Sequence, residues 1–372
     1  MASTISSTST HSSPAAVTVQ VPARAPHSYD IPIERGVSRR AGDMIASVIA
    51  PCRALLLSDD TVDALYGERV ATSLTAAGFS VVRHVIPHGE PSKSAANLIA
   101  LLEKMAAEHL TRSDCLVALG GGVVGDLGGF ASAVYLRGIR FVQIPTTLLA
   151  MVDASVGGKT AIDLMAGKNL AGAFHQPSLV LIDPDLLGTL PAEIFADGMA
   201  EVIKYAFIND RALFEHLRKE DAVTGEGLCT LIRLCVSDKR VLVEADETDK
   251  GARQLLNLGH TVGHAIEACS HFGISHGSAV AIGMVIITRA AEARGICPAG
   301  TLDALIGLLE MYALPTSCPF TVEQLFEAAT SDKKRAGGMI TLVVPYGVAD
   351  SRLVTVPLDA LEGYIRLGLD GE

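Results

Sequence analysis

Arg253, Asn257, His260 and His264 stand at i, i+4, i+7 and i+11 in one short segment. If that segment is helical, they form a single polar stripe. Leu255, Leu256, Leu258, Val262 and Ile266 are then left to face a core. A polar stripe on an otherwise apolar helix is costly unless its partners lie inside the protein. A third imidazole, His276, follows in Ser275-His276-Gly277 at the start of another apolar stretch, and Glu201 and Lys204 sit i, i+3 upstream in GMAEVIKYAF. Two imidazoles and one carboxylate, with a position left open, are the ligands expected of a catalytic zinc. His260, His264 and His276 compete for two places. Spacing does not choose among them, although i, i+4 alone favours His260 with His264. The motif reads H-T-V-G-H and not H-E-x-x-H, so the glutamate base of a metalloprotease is missing.

Around these residues the cations gather. Lys159 follows Asp153-Ala-Ser-Val-Gly157-Gly158, and Lys168-Asn169 follows Gly167. Lys204, Lys239, Arg253 and Lys333-Lys334-Arg335 come later, in a chain whose formal net charge is −11. Converging Lys and Arg suit a small ligand carrying phosphate and carboxylate. A second signal is Gly120-Gly121-Gly122-Val123-Val124-Gly125-Asp126, directly after the apolar CLVAL. Glycine lets backbone turn sharply beside a pyrophosphate, with amides and a helix N-terminus facing the negative charge. The run is neither G-x-G-x-x-G nor a P-loop. Asp59 closes an earlier strand, where a carboxylate can meet ribose hydroxyls.

The elements that must position these groups change in character along the chain. ALLLSDD (54–60), VVRHVIP (81–87), CLVALG, FVQIPTT (141–147) and LVLIDP (179–184) read as strands. AANLIALLEKMAAEHL (95–110) reads as a helix between them. Interleaved strands and helices predict a mostly parallel sheet with helices on both faces. From about Gly188 the chain reads as helices, among them ARQLLNLGHTVGHAIEAC as one, with a single β-like piece at 339–350. The expected fold is α/β: a Rossmann-like, mostly parallel sheet domain at 29–187, then a mainly α-helical metal-binding domain at 188–372. A ligand in such an arrangement sits between the two.

Composition narrows the function classes. Of 372 residues, 49% are hydrophobic and 19% charged, which suits a large buried core. No apolar run reaches the roughly 18 residues that cross a bilayer. The acidic total argues against a nucleic-acid surface. Seven scattered cysteines without a C-x-x-C pair fit reduced thiols, hence a cytoplasmic setting. Residues 1–28, rich in Ser, Thr, Ala and Pro, have no apolar run of the kind a secretory signal needs and read as a disordered tail.

Taken in order, GEPSK (89–93), GGGVVGDLGGF (120–130), YLRGIRFVQIPTTLLAMVDASVGGKT (135–160), GKNLAGAFHQP (167–177), GMAEVIKY (198–205), LLNLGHTVGHAIE (255–267), HGSAVAIGM (276–284) and SDKKR (331–335) resemble the 3-dehydroquinate synthase family of sugar phosphate cyclases, from about Tyr29 to Leu367. The resemblance implies NAD and one divalent ion, zinc or cobalt, with Glu201, His260 and His276 as ligands. It implies Asp59, Glu90, Lys93, Gly121, Gly122, Val123, Asp126, Thr146, Thr147, Asp153, Lys159, Lys168 and Thr189 near NAD. Arg137, Asp153, Lys159, Asn169, Lys204, Lys239, Arg253, Asn257, His264 and Lys334 are implied around the substrate. That substrate is 3-deoxy-D-arabino-heptulosonate 7-phosphate, and the assembly a homodimer, with no nucleic acid or membrane as partner. Three positions depart from the family's usual residues: Asp249 for Glu, Ser278 for Glu and Asp163 for Asn. These departures leave room for a sibling cyclase acting on another sugar phosphate. A metal-dependent glycerol or alcohol dehydrogenase is the more distant alternative.

Overall fold

The computed structural model describes residues 27–330 and 338–369. Residues 1–26 of the tail expected at 1–28, and Lys334, lie outside the described residues. Seven strands come first: β1 (Arg53–Asp59), β2 (Ser80–Ile86), β3 (Cys115–Gly120), β4 (Arg140–Pro145), β5 (Lys159–Leu164), β6 (Gly167–Phe174) and β7 (Leu179–Val180). Five of them form a sheet in the order β2-β1-β3-β4-β7, with every pair parallel. The central strands β1 and β3 are buried almost throughout. Sequences such as ALLLS and CLVALG lack polar alternation because helices cover both faces of a parallel sheet.

The chain leaves β1 toward β2 on one side and returns to place β3 on the other. The crevice beyond the carboxyl ends of β1 and β3 is therefore a topological switch point, where open α/β sheets bind ligands. Asp59 ends β1 there, and Gly120 ends β3. A helix, Gly122–Val134, starts immediately after the glycines. It lies close on the sheet because Gly128 has no side chain: a Cβ there would come within 3.0 Å of Leu116 and 3.1 Å of Leu57.

Strands β5 and β6 form a separate antiparallel hairpin, and the two glycine-flanked lysines ride on it. The C-terminal part is mainly helical, as expected. Its β-like piece is a second hairpin, β8 (Met339–Gly347) with β9 (Asp350–Pro357). The largest core cluster runs from the sheet residues Val142 and Ile144 to Met199, Ile203 and Tyr205, so the Ala192–Ile208 helix is anchored on the sheet.

One expectation is corrected. Residues 253–264 are not a single helix. A 3-10 turn spans Ala252–Asn257, Leu258 is extended, Gly259 has φ 78°, and a new helix begins at His260. The break follows from packing: a Cβ on Gly259 would lie 2.7 Å from both Val280 O and Met284 Cγ of the His276–Ala293 helix. Arg253 and the histidines are thus brought in from two elements and not from one stripe. No helix among the described residues is long and apolar enough to cross a membrane, and all seven cysteines are free.

Candidate active site

Three helices bring Glu201, His260 and His276 together, with ligand atoms all within 4.8 Å of one another. Glu201 is fully buried on the Ala192–Ile208 helix. Its Oε1 lies 3.4 Å from His260 Nε2 and 3.5 Å from His276 Nε2. The far sides of both rings are already engaged. His260 Nδ1 donates to Leu258 O at 3.1 Å, and His276 Nδ1 faces Glu267 Oε2 at 3.3 Å. Such partners hold Nδ1 of each ring and leave Nε2 as the nitrogen that faces Glu201 and is offered to a metal.

Electrostatics favour positive charge at this point. Burial opposes ionisation of Glu201, yet Lys204 and His260 hold its carboxyl down to about 2. Burial also opposes a charge on His276, but Glu201 and Glu267 lift it to about 10. His260 goes the other way, to about 3, chiefly because it is buried. Neither oxygen of the buried Glu201 carboxylate has a hydrogen bond of good geometry. An anion so placed, faced by two imidazole nitrogens, fits a divalent cation. A second set, His264, Glu267 and His276, also lies within ligand range, but His264 is exposed there.

Beside the triad lies a group of buried cations. Lys204 is 1% exposed and contacts Glu201 Oε2, with Asp153 Oδ2 at 3.7 Å. Lys239 donates to the backbone oxygen of Asp153 at 2.6 Å and pairs with its carboxylate, which also accepts from Tyr205 Oη at 3.1 Å. Arg253, 1% exposed, donates to Glu247 O at 2.7 Å and to Gly157 O at 3.1 Å, while its Nε has no partner. Lys204 and Lys239 face Asp153 and Glu201, while the buried Arg253 guanidinium bonds only backbone oxygens, and a cluster of cations held this way suits an anionic ligand. At the exposed margin, Lys159 is paired with Asp249, one of the three departures.

At the switch point, Asp59 accepts from Val62 N at 2.9 Å. Lys93 pairs with Asp126 Oδ2 at 2.5 Å and donates to Asn169 Oδ1 at 2.5 Å, tying the glycine helix to the β5–β6 hairpin. Gly121 allows the Thr147 side chain close approach, since a Cβ would meet its methyl at 3.0 Å. A Cβ on Gly122 would lie 3.6 Å from that of Ala154, beside the Asp153 turn, and Val123 follows in the helix's first turn. The Thr146 hydroxyl is buried without a partner. Glu90 is exposed on the 3-10 turn after β2, and Thr189 Oγ1 is hydrogen-bonded to Tyr66 Oη at 2.5 Å.

Arg137 is the exception among the described residues. It is exposed just before β4 begins, at the amino ends of the strands. The 13-residue glycine helix carries the chain about 20 Å from the crevice before Arg137 is reached. Within this chain it does not join the cluster. Asn257 is exposed at the end of the 3-10 turn, three residues before His260. Sequence reasoning passed over Glu267, which is buried between His276 and Lys168 Nζ, the latter at 2.9 Å. Its spacing, i+3 from His264 and i+7 from His260, was a usable signal. Tyr205 was also passed over, since nothing local marks its bond to Asp153.

Residues 83–197 match the family model for the 3-dehydroquinate synthase N-terminal part, and residues 198–335 that for the C-terminal part. A 3-dehydroquinate synthase of Enterococcus faecalis is 43% identical over 346 residues, covering 91% of this chain and 96% of that protein. Among solved structures, a 2-epi-5-epi-valiolone synthase from Streptomyces hygroscopicus with NAD+ and Zn2+ bound superposes with TM-score 0.86 at 28% identity, covering 95% of this chain and all of that one. A 2-deoxy-scyllo-inosose synthase with carbaglucose-6-phosphate, NAD+ and Co2+ gives TM-score 0.82 at 26% identity, over 92% of this chain and 97% of that one. With both family models matched in sequence order on one sheet-plus-helix fold, the chain belongs to the 3-dehydroquinate synthase family.

Proposed function

We propose that this chain is a 3-dehydroquinate synthase, a phosphate-eliminating carbon–oxygen lyase of the shikimate pathway. It converts 3-deoxy-D-arabino-heptulosonate 7-phosphate to 3-dehydroquinate and inorganic phosphate. The carrying observation is the Glu201–His260–His276 cluster adjoining the buried Lys204, Lys239 and Arg253. The 43% identity to a synthase of that name points to the same substrate.

When bound, NAD at the switch point supplies a reversible hydride acceptor, and a zinc or cobalt ion held by Glu201, His260 and His276 supplies a Lewis acid at the C5 hydroxyl. The chain's own residues do the rest. Lys204, Lys239 and Arg253 are fixed in place by their partners before substrate arrives, so ordering them costs little at binding. They hold the carboxylate and phosphate, and keep the intermediates from reorienting. Lys159 and Asn169 close the margin from the hairpin. His264, one turn beyond His260 and open to solvent, is placed to carry protons to and from substrate oxygens. The division at about residue 188 and a homodimeric state belong to the same reading.

The test is phosphate release by purified protein with the heptulosonate phosphate and with the substrates of sibling cyclases, while NADH absorbance is followed. Phosphate from the heptulosonate with no net NADH supports the reading. Net NADH build-up fits a dehydrogenase, and turnover only of a substrate lacking the carboxylate fits a sibling; either result overturns it. Lys159→Ala is expected to retain the metal but lose most phosphate release. The exposed Lys159 has no part in holding Glu201 or either imidazole, so a wild-type rate in that variant removes it from the substrate site.

A further inference from the structure

Glu267 has no role in the chemistry above, yet it joins His276, a candidate metal ligand, to Lys168, which the family resemblance puts near NAD. It is 3% exposed. One carboxylate oxygen faces His276 Nδ1 at 3.3 Å, and the other accepts from Lys168 Nζ at 2.9 Å. His276 opens a helix of the C-terminal part, whereas Lys168 stands on β6. The next residue on that strand, Asn169, accepts from Lys93, which pairs with Asp126 in the first turns of the glycine helix. Strand β6 thus carries the Lys168 contact to Glu267 and, through the separate bond of the next residue, the tie to the glycine helix, and Glu267 joins a candidate metal ligand to that strand.

We propose that Glu267 is a positioning residue which fixes His276 for the cation through one oxygen and couples cation binding to dinucleotide binding through the other. The inference rests on the cation and dinucleotide sites assigned above. An imidazole whose Nδ1–H is held by a carboxylate keeps its Nε2 lone pair aimed and more basic. A divalent cation on Nε2 displaces any proton there and puts one more positive charge beside the ring than that proton did, which strengthens the pull of Nδ1–H on Glu267. Glu267 then turns more of its charge to His276 and less to Lys168. Lys168, about a third exposed, is freed to face a pyrophosphate. Each ligand therefore tightens the other, and by the same factor, since coupling between binding sites is reciprocal.

The experiment measures zinc affinity by chelator competition, and NAD affinity by calorimetry on zinc-loaded and zinc-stripped protein. In wild type, zinc is expected to tighten NAD binding about fivefold. Glu267→Gln is expected to weaken zinc binding about tenfold and to bring the zinc effect on NAD to about onefold. Lys168→Met is expected to keep zinc affinity within about twofold of wild type while losing the coupling, because only the second arm is cut. Wild-type zinc affinity and coupling in Glu267→Gln overturn the proposal. If that variant does not fold, Lys168→Met decides alone: coupling lost with zinc retained supports it, and coupling retained overturns it. Zinc-loaded wild type that releases no phosphate sinks the proposed activity but leaves these affinity comparisons standing.

Discussion

Glu201→Ala and His260→Ala are each expected to leave a folded protein that retains no divalent ion after dialysis. Each variant removes one of three ligands from a site whose geometry depends on all three. A Lewis acid contributes several kcal/mol to charge stabilisation in a transition state. At about 1.36 kcal/mol per tenfold, phosphate release should fall roughly a thousandfold. Folding survives in Glu201→Ala because Lys204, though buried, keeps Asp153 at 3.7 Å as a countercharge. Metal analysis by mass spectrometry checks the outcome. Wild-type metal content in both variants refutes the ligand assignment.

The second large effect is expected at Gly283, which carries no side chain into the site but packs against the residues just before His260 and His264. The helices bearing His260 and His276 meet at glycines. A Cβ on Gly283 would press into Gly259 O and come within 3.0 Å of Gly263 N. The neighbours struck are backbone, which cannot swing away as a side chain can. Gly283→Val should cost about 3 kcal/mol or more by overpacking. It should also spread the helices that set the separation of His260 and His276. A lowered melting temperature with weakened zinc binding is the expected pair of results. Unchanged zinc affinity would show that the glycine contact does not set the ligand geometry.

These two sites also show what the sequence could and could not disclose. The parallel sheet was legible because β1 and β3 are continuous apolar runs, and the glycine turn because it follows such a run. The resemblance picked Glu201, His260 and His276, and the structure brings those three within ligand range. Residue spacing alone did not choose among the three histidines, and i, i+4 favoured His260 with His264 on one stripe. It assumed an unbroken helix, and Gly259 breaks that helix to let two helices touch. Glycine in a helical pattern is tolerated often enough that its break was invisible without the partner helix. The β5–β6 hairpin was missed because Gly157, Gly158 and Gly167 punctuate it like loops. The resemblance grouped Arg137 with the substrate, and within this chain the glycine helix carries it to the amino ends of the strands. Glu267 went unremarked because its partners lie on other elements.

The central claim concerns where the cation sits, and anomalous X-ray scattering from zinc-loaded crystals tests it most directly. The expected result is one strong peak roughly 2.0–2.2 Å from a Glu201 carboxylate oxygen and from Nε2 of both His260 and His276. A peak bound instead by His264, Glu267 and His276, or no peak between Glu201 and the two imidazoles, would contradict the account.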